Sequence, residues 1–327
     1  MSKEEKSIFW NMMSLWGSIL VVIGHSGIAP DNIGYNSYAK FIHTWIYSFH
    51  MPLFAFLSGA CFVEYSLKHY VLLEFIKNKL KRILLPYLWW ILFVAVLSVI
   101  FSSVAAHNRC FDIQYFILCI VIPTKYSIVS YYWFLLVLFM IFIIAINIRK
   151  YIYTRKAACV VTVLLVLLNF INPFRDIEIL CLYKLFDLLL YFWIGMLVAK
   201  FGIEKTIFSN KYFIATLLCT ISIILNVFVI DNALVTMMLA CVGIMFSVYL
   251  IRIIQDCGVK LQYRLSYSIY LLHGIVHKIP YILLRNVQIS WWEHLIVFAL
   301  VGIFVPVFIV YLWKRIHLKS CRLFLGE

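Results

Sequence analysis

Charge is what this 327-residue chain has least of: 13% of its residues are Asp, Glu, Lys or Arg, and only 14 are acidic. A soluble domain carries about 25% charged residues, so a water-exposed globular fold is excluded. Glycine (12) and proline (7) are also scarce, which excludes collagen-like, low-complexity and disordered chains. The nine cysteines contain no CxxC pair and no metal-ligand spacing. Most lie in apolar runs, where cysteine behaves as a small hydrophobe, and no metal site is expected. A GxSxG elbow, a P-loop and a glycine-rich dinucleotide fingerprint are absent as well, so the chemistries tied to those motifs have no support. Nor does a series of acidic or basic residues run through successive helices, as in many ion-coupled pumps.

What is abundant is apolar surface: 65% hydrophobic and 18% aromatic residues, with a mean hydropathy of +0.99. A membrane-spanning helix needs about 20 apolar residues, and ten segments qualify: 8–27, 41–63, 83–104, 131–148, 157–172, 179–199, 212–230, 233–253, 266–284 and 293–313. The expected fold is an all-α polytopic membrane protein, a single integral-membrane domain over 1–327. The stretch 110–123 is too short to span and reads as interfacial or re-entrant. The first segment does not read as a cleavable signal, because Glu4 and Glu5 precede it and no small-residue cleavage site follows.

The net charge of +14 is topological rather than a sign of nucleic acid. With ten spans and both termini in the cytoplasm, 21 of the 28 Lys and Arg fall inside and seven outside, while acidic residues split evenly. That asymmetry of Lys and Arg alone sets orientation.

Ionisable groups at membrane depth are functional hypotheses by default. His25 lies near the outer end of the first helix, and His50 about nine residues into the second, followed by Pro52. A short loop makes these helices antiparallel neighbours, so both imidazoles are expected to face one cavity, with Ser26 adjacent. Histidine is the side chain best suited to move a proton near neutral pH. Lys184 and Asp187, one turn apart, are expected to pair. His273 and His277 are also one turn apart, but with no carboxylate beside them a metal is not expected. His69, His107 and His317 read as solvated. Lys77, Lys79, Lys81 and Arg82 form a basic strip before the third span. It suits anionic lipid headgroups or a phosphorylated cytosolic ligand.

Five stretches, in order, resemble the membrane acyltransferase-3 family of bacterial O-acyltransferases: VVIGHS, FHMPLFAFLSG, FIKNKLKRILLPYLWW, YYWFLLVLF and LSYSIYLLHG. The FHMPLF variant is most similar to the fucose 4-O-acetyltransferase-like branch. The family pattern places a basic residue eleven positions before the histidine of the first helix. His25 matches that histidine, but Ser14 stands where the cation is expected.

The resemblance implies transfer of an acyl group, usually acetyl, from cytosolic acyl-CoA to a sugar hydroxyl of a cell-surface polysaccharide or its lipid-linked precursor. It also implies a multi-pass protein of the bacterial cytoplasmic membrane. In that reading Lys79, Lys81 and Arg82 hold the CoA phosphates, and the pantetheine arm reaches into the bundle. His25 acts as general base or transient acyl acceptor, with His50 orienting or relaying a proton. Ser26, Tyr132, Trp133 and His273 are candidate substrate contacts. Acyl-CoA is a donor substrate, and no bound cofactor is expected. The alternative is a transporter of glycan or lipid-linked sugar, with the histidines lining its path.

Overall fold

The computed structural model describes residues 3–26, 36–67, 71–100, 112–127, 129–202, 210–228, 233–259, 265–284, 287 and 289–315. Among them every regular element is helical. In chain order these are α1 (Lys3–Gly24), α2 (Ser37–Cys61), α3 (Leu72–Lys79), α4 (Leu85–Ile100), α5 (Ile113–Val121), α6 (Pro123–Tyr126) and α7 (Trp133–Ile148). Then follow α8 (Arg155–Ile171), α9 (Leu185–Phe201), α10 (Lys211–Val227), α11 (Ala233–Asp256), α12 (Ser266–Val276), α13 (Lys278–Leu284) and α14 (Trp291–Arg315). Single π-helical turns at Phe62–Ser66 and Leu80–Leu84 prolong α2 and join α3 to α4.

Seven of the helical runs are long and apolar enough to cross a membrane, so the protein is an all-α polytopic membrane protein. Three of the ten expected segments are shorter. Helices α8 and α10 have 17 residues each, at the lower end of what spans. The segment 266–284 is broken at His277. Pro280 has no N–H to donate to the carbonyl of Val276, so the ladder lapses there. The second span begins at Ser37 rather than residue 41, because Asn36 caps it: its Oδ1 accepts from Ala39 N at 3.0 Å.

The chain divides into two compact units. The first is drawn from Met1–Tyr65 and Tyr191–Leu312. Between apolar helices in lipid, association rests on close backbone approach and interhelical hydrogen bonds, and both are present here. Gly59 on α2 and Gly195 on α9 make a reciprocal crossing. A Cβ on Gly59 would stand 1.9 Å from the carbonyl oxygen of Phe192, and one on Gly195 2.0 Å from that of Phe56. Gly243 on α11 likewise gives its place to the Phe49 ring. Polar ties add to this. Trp16 Nε1 donates to Ser247 Oγ at 3.1 Å, Trp45 Nε1 to Ser222 Oγ at 3.0 Å, and Asn226 Nδ2 to the Phe41 carbonyl at 2.9 Å. Ser14 Oγ meets Ser266 Oγ at 2.8 Å, while Ser18 Oγ donates to the Ser266 carbonyl at 2.8 Å, fastening α1 to α12.

The second unit is drawn from Ser66–Leu190 and Trp313–Glu327. Within the stretch 110–123, Asp112 caps α5 through Gln114 N, and the chain turns at Ile122 into α6. Tyr87 on α4 donates to the Ile120 carbonyl and Ser98 bonds Tyr115, holding α5 against α4. Helix α8 ends on Asn172 in the left-handed region (φ 36°), which suits asparagine at a C-terminal cap. Leu180 and Cys181 also take positive φ, 54° and 55°, at the kink leading into α9. Two consecutive non-glycine residues there are strained. Asn169 and Asn172 hold the start of α9, donating to the carbonyls of Phe186, Asp187 and Tyr183.

Candidate active site

All six histidines among the described residues lie in the first unit, and most join in one cluster. His25 follows the last residue of α1; its backbone N–H still bonds the Val21 carbonyl at 3.0 Å. Its half-buried ring is flanked on two sides. Tyr47 from α2 brings its hydroxyl to 3.1 Å from Nδ1, and the His273 ring from α12 lies 5.5 Å away, centroid to centroid. Tyr47 also packs on His50, 4.7 Å between ring centroids, and stacks on His43 at 3.8 Å.

His50 is the fourteenth residue of the 25 in α2, and its side chain is buried. Its Nδ1 lies 2.9 Å from the Ile46 carbonyl. A carbonyl only accepts, so Nδ1 carries the hydrogen and, in the neutral ring, Nε2 keeps the lone pair. His273, fully buried, is held the same way, its Nδ1 2.7 Å from the Tyr270 carbonyl. His50 and His273 therefore offer Nε2 as proton acceptors rather than donors.

His277 occupies the break between α12 and α13 and joins three elements. Its Nε2 donates to the Phe298 carbonyl of α14 at 2.9 Å, and it stands edge-on to His273 at 5.6 Å. The ring fits there because Gly302 has no side chain. Ser26, fully buried, donates to the Val22 carbonyl at 2.6 Å, closing the last turn of α1.

The structure thus brings His25, Ser26, His50 and His273 into one neighbourhood. It adds three residues that sequence reading did not place: Tyr47, His43 and the clamping role of His277. A readable signal existed for the first two. His43, Tyr47 and His50 fall at i, i+4 and i+7 on one stripe of α2.

The remaining candidates belong to the second unit. Lys79 is half-buried, its ammonium 3.8 Å from the Phe142 ring centroid and 5.2 Å from that of Phe75. Lys81 and Arg82, on the π-turn, are exposed. Tyr132 is fully buried against Tyr131. Trp133 is half-buried with the Lys184 ammonium 5.9 Å from its ring. The expected pairing of Lys184 with Asp187 is replaced by other partners. Asp187 accepts from Asn172 Nδ2 at 2.9 Å, and Lys184 rests between Trp133 and Tyr183. His69, His107 and His317 lie outside the described residues. Among the described residues no group of three His, Cys, Asp or Glu is disposed to hold a metal.

Comparison with known proteins bears on what this cluster serves. No curated protein and no solved structure matches the chain. A family model described as an acyltransferase domain matches residues 9–313, from the first turns of α1 to the last of α14, and takes in the whole histidine cluster. The chain belongs to the membrane acyltransferase-3 family.

Proposed function

We infer that this acyltransferase moves an acyl group, in the first instance acetyl, from cytosolic acyl-CoA to a sugar hydroxyl of a cell-surface polysaccharide or its lipid-linked precursor. The supporting observation is the meeting of His25 with Tyr47 and His273, beside a buried His50 whose Nε2 is an acceptor. Transfer to an alcohol needs a base that takes the hydroxyl proton as its oxygen attacks the thioester carbonyl. The C–S bond then breaks, and the proton passes from the base to the thiolate. His25, half-buried and just past the end of α1, is assigned that role, with His50 and His273 as neighbouring acceptors.

Lys81 and Arg82, with Lys79 beside them, form the dock assigned to the CoA phosphates, and Trp133 and Tyr132 are assigned to acceptor contact. We assign both termini to the cytoplasm, a reading supported by the 21-to-seven division of Lys and Arg that follows if all ten apolar segments cross, and the bacterial cytoplasmic membrane is the location the family reading implies.

The test is transfer from labelled acetyl-CoA into glycan by membrane vesicles carrying the wild-type chain. Label is expected with wild type and is expected to vanish with His25→Ala. Full acetylation by a correctly inserted His25→Ala protein overturns the assignment. For orientation, a reporter fused after Glu327 is expected to be active on the cytoplasmic side.

A further inference from the structure

Lys184 and Asp187, in the second unit, are the sixth and ninth residues of the apolar run Ile179–Phe201. Opposite charges at membrane depth are ordinarily paired with one another. These two, one turn apart, are not. Among the described residues Lys184 makes no ion pair: its ammonium lies 5.0 Å from the Tyr183 ring centroid and 5.9 Å from that of Trp133. Asp187 gives one carboxylate oxygen, Oδ1, to Asn172 Nδ2 at 2.9 Å, and its Oδ2 has no hydrogen-bond partner among the described residues.

The local hydrogen bonding keeps the two charges apart. Asn172 spends both Nδ2 hydrogens, one on the Asp187 carboxylate and one on the Tyr183 carbonyl at 2.6 Å. Asn169 holds the carbonyls of Phe186 at 3.3 Å and Asp187 at 3.1 Å. One half-buried group of side chains thus presents an ammonium with its three donors, a carboxylate oxygen with open lone pairs, and the rings of Trp133 and Tyr183. A simple anion there is repelled by the carboxylate, and a simple cation by the ammonium. The ligand that satisfies both is neutral, carries donors and acceptors on adjacent atoms, and has an apolar face for the rings. A pyranose has that pattern: each hydroxyl both donates and accepts, and the C–H face lies flat on an indole.

We propose that Lys184, Asp187 and Trp133 form a subsite for a neutral sugar residue of the acceptor glycan. The ammonium donates to one hydroxyl, Asp187 Oδ2 accepts from its neighbour, and the indole takes the apolar face. This rests on the reading of the protein as an acyltransferase to sugar hydroxyls. With both termini in the cytoplasm, the starts of α7 and α9 face outward, where a surface glycan or its lipid-linked precursor is presented. The subsite binds and orients, and no bond is made or broken in it.

The experiment uses the full chain in lipid nanodiscs, with saturation-transfer NMR on D-glucose, D-galactose and N-acetyl-D-glucosamine, and empty nanodiscs as control. Two variants spare the fold. Lys184→Met keeps the apolar stem against the rings and removes the ammonium. Asp187→Asn keeps an oxygen for Asn172 and turns the open acceptor into a donor. Wild type is expected to saturate at least one of the sugars, and both variants to lose that signal. Mannitol, which has the hydroxyls but no ring face, is expected to give none. In membrane vesicles given labelled acetyl-CoA, each variant is expected to slow transfer into glycan about tenfold or more, as for loss of one hydrogen bond to a charged group, at an unchanged KM for acetyl-CoA. A wild-type chain that saturates none of the three sugars, or variants that keep the wild-type signal, overturn the inference while the acyl-transfer reading stands. If wild type passes no label to glycan but the variants still lose the sugar signal, the acyl-transfer reading fails and the sugar subsite stands.

Discussion

Gly302 and His277 share one space: a Cβ on Gly302 would stand 2.3 Å from His277 Nε2 and 2.7 Å from Val22 Cγ1. The glycine in α14 is therefore what admits the imidazole that bonds the Phe298 carbonyl and stands against the His273 ring. Gly302→Ala is expected to expel the ring. The cost is that of overpacking a fitted interior, about 1–3 kcal/mol, read as a lower thermal midpoint in detergent. Transfer is expected to fall further than stability does, because the His273 ring beside His25 loses the imidazole packed against it.

Gly59 and Gly195 meet backbone rather than a side chain that can swing away. Gly59→Ala and Gly195→Ala are each expected to be the most destabilising single-methyl additions in the first unit. Since both separate the same pair of helices, the double variant is expected to fall well short of the sum of the singles. Thermal unfolding of the purified proteins measures this, and simple additivity would falsify the crossing.

His25→Ala is expected to abolish transfer, and His50→Ala to slow it by about 10²–10⁴-fold if His50 acts in proton transfer. His50→Gln separates packing from proton chemistry, because the amide restores a donor to the Ile46 carbonyl without a basic nitrogen. Activity equal to wild type in His50→Gln removes His50 from the chemistry.

The tryptophan–serine ties allow a measurement of interhelical hydrogen bonding in lipid. A double-mutant cycle on Trp45→Phe and Ser222→Ala is expected to give a coupling of about 0.6 kcal/mol, and at most about 1.7. The same cycle on Trp16 and Ser247 is expected to give a similar value.

Within the basic strip the three cations are expected to differ. Lys79 is engaged with the Phe142 ring, so Lys79→Gln is expected chiefly to loosen α3 from α7. Replacing the exposed Lys81 and Arg82 by Gln is expected to raise KM for acetyl-CoA severalfold and to flatten its dependence on salt, since exposed charges are screened. An unchanged KM in the Lys81→Gln/Arg82→Gln protein removes the strip from donor binding.

The helices and the first two histidines were legible because hydropathy and membrane-depth polarity are local properties. The start of α2 was misjudged by four residues because one side chain, Asn36, decides it. The break at His277 was written in Pro280 but masked by the apolar run around it. The closure of the site by His273 depends on α12 packing along α1, fixed by the Ser14–Ser266 and Ser18–Ser266 bonds across about 250 residues of sequence. No local pattern signals that. Tyr47 was hidden differently: it is one of 21 tyrosines, and in a membrane protein most aromatics serve the interfaces. Only its register with His43 and His50 sets it apart.

Ser14 stands where the family pattern has a cation, and the seryl fastening makes that departure hard to undo. A long basic side chain at 14 would have to displace the Ser266 hydroxyl, which meets Ser14 at 2.8 Å. A basic residue at 14 is thus expected to need a change at 266 as well. Restoring the cation alone is expected to loosen α1 from α12 on the side of Ser14, leaving Ser18 to hold the Ser266 carbonyl and the approach of His25 to His273 resting on that one bond.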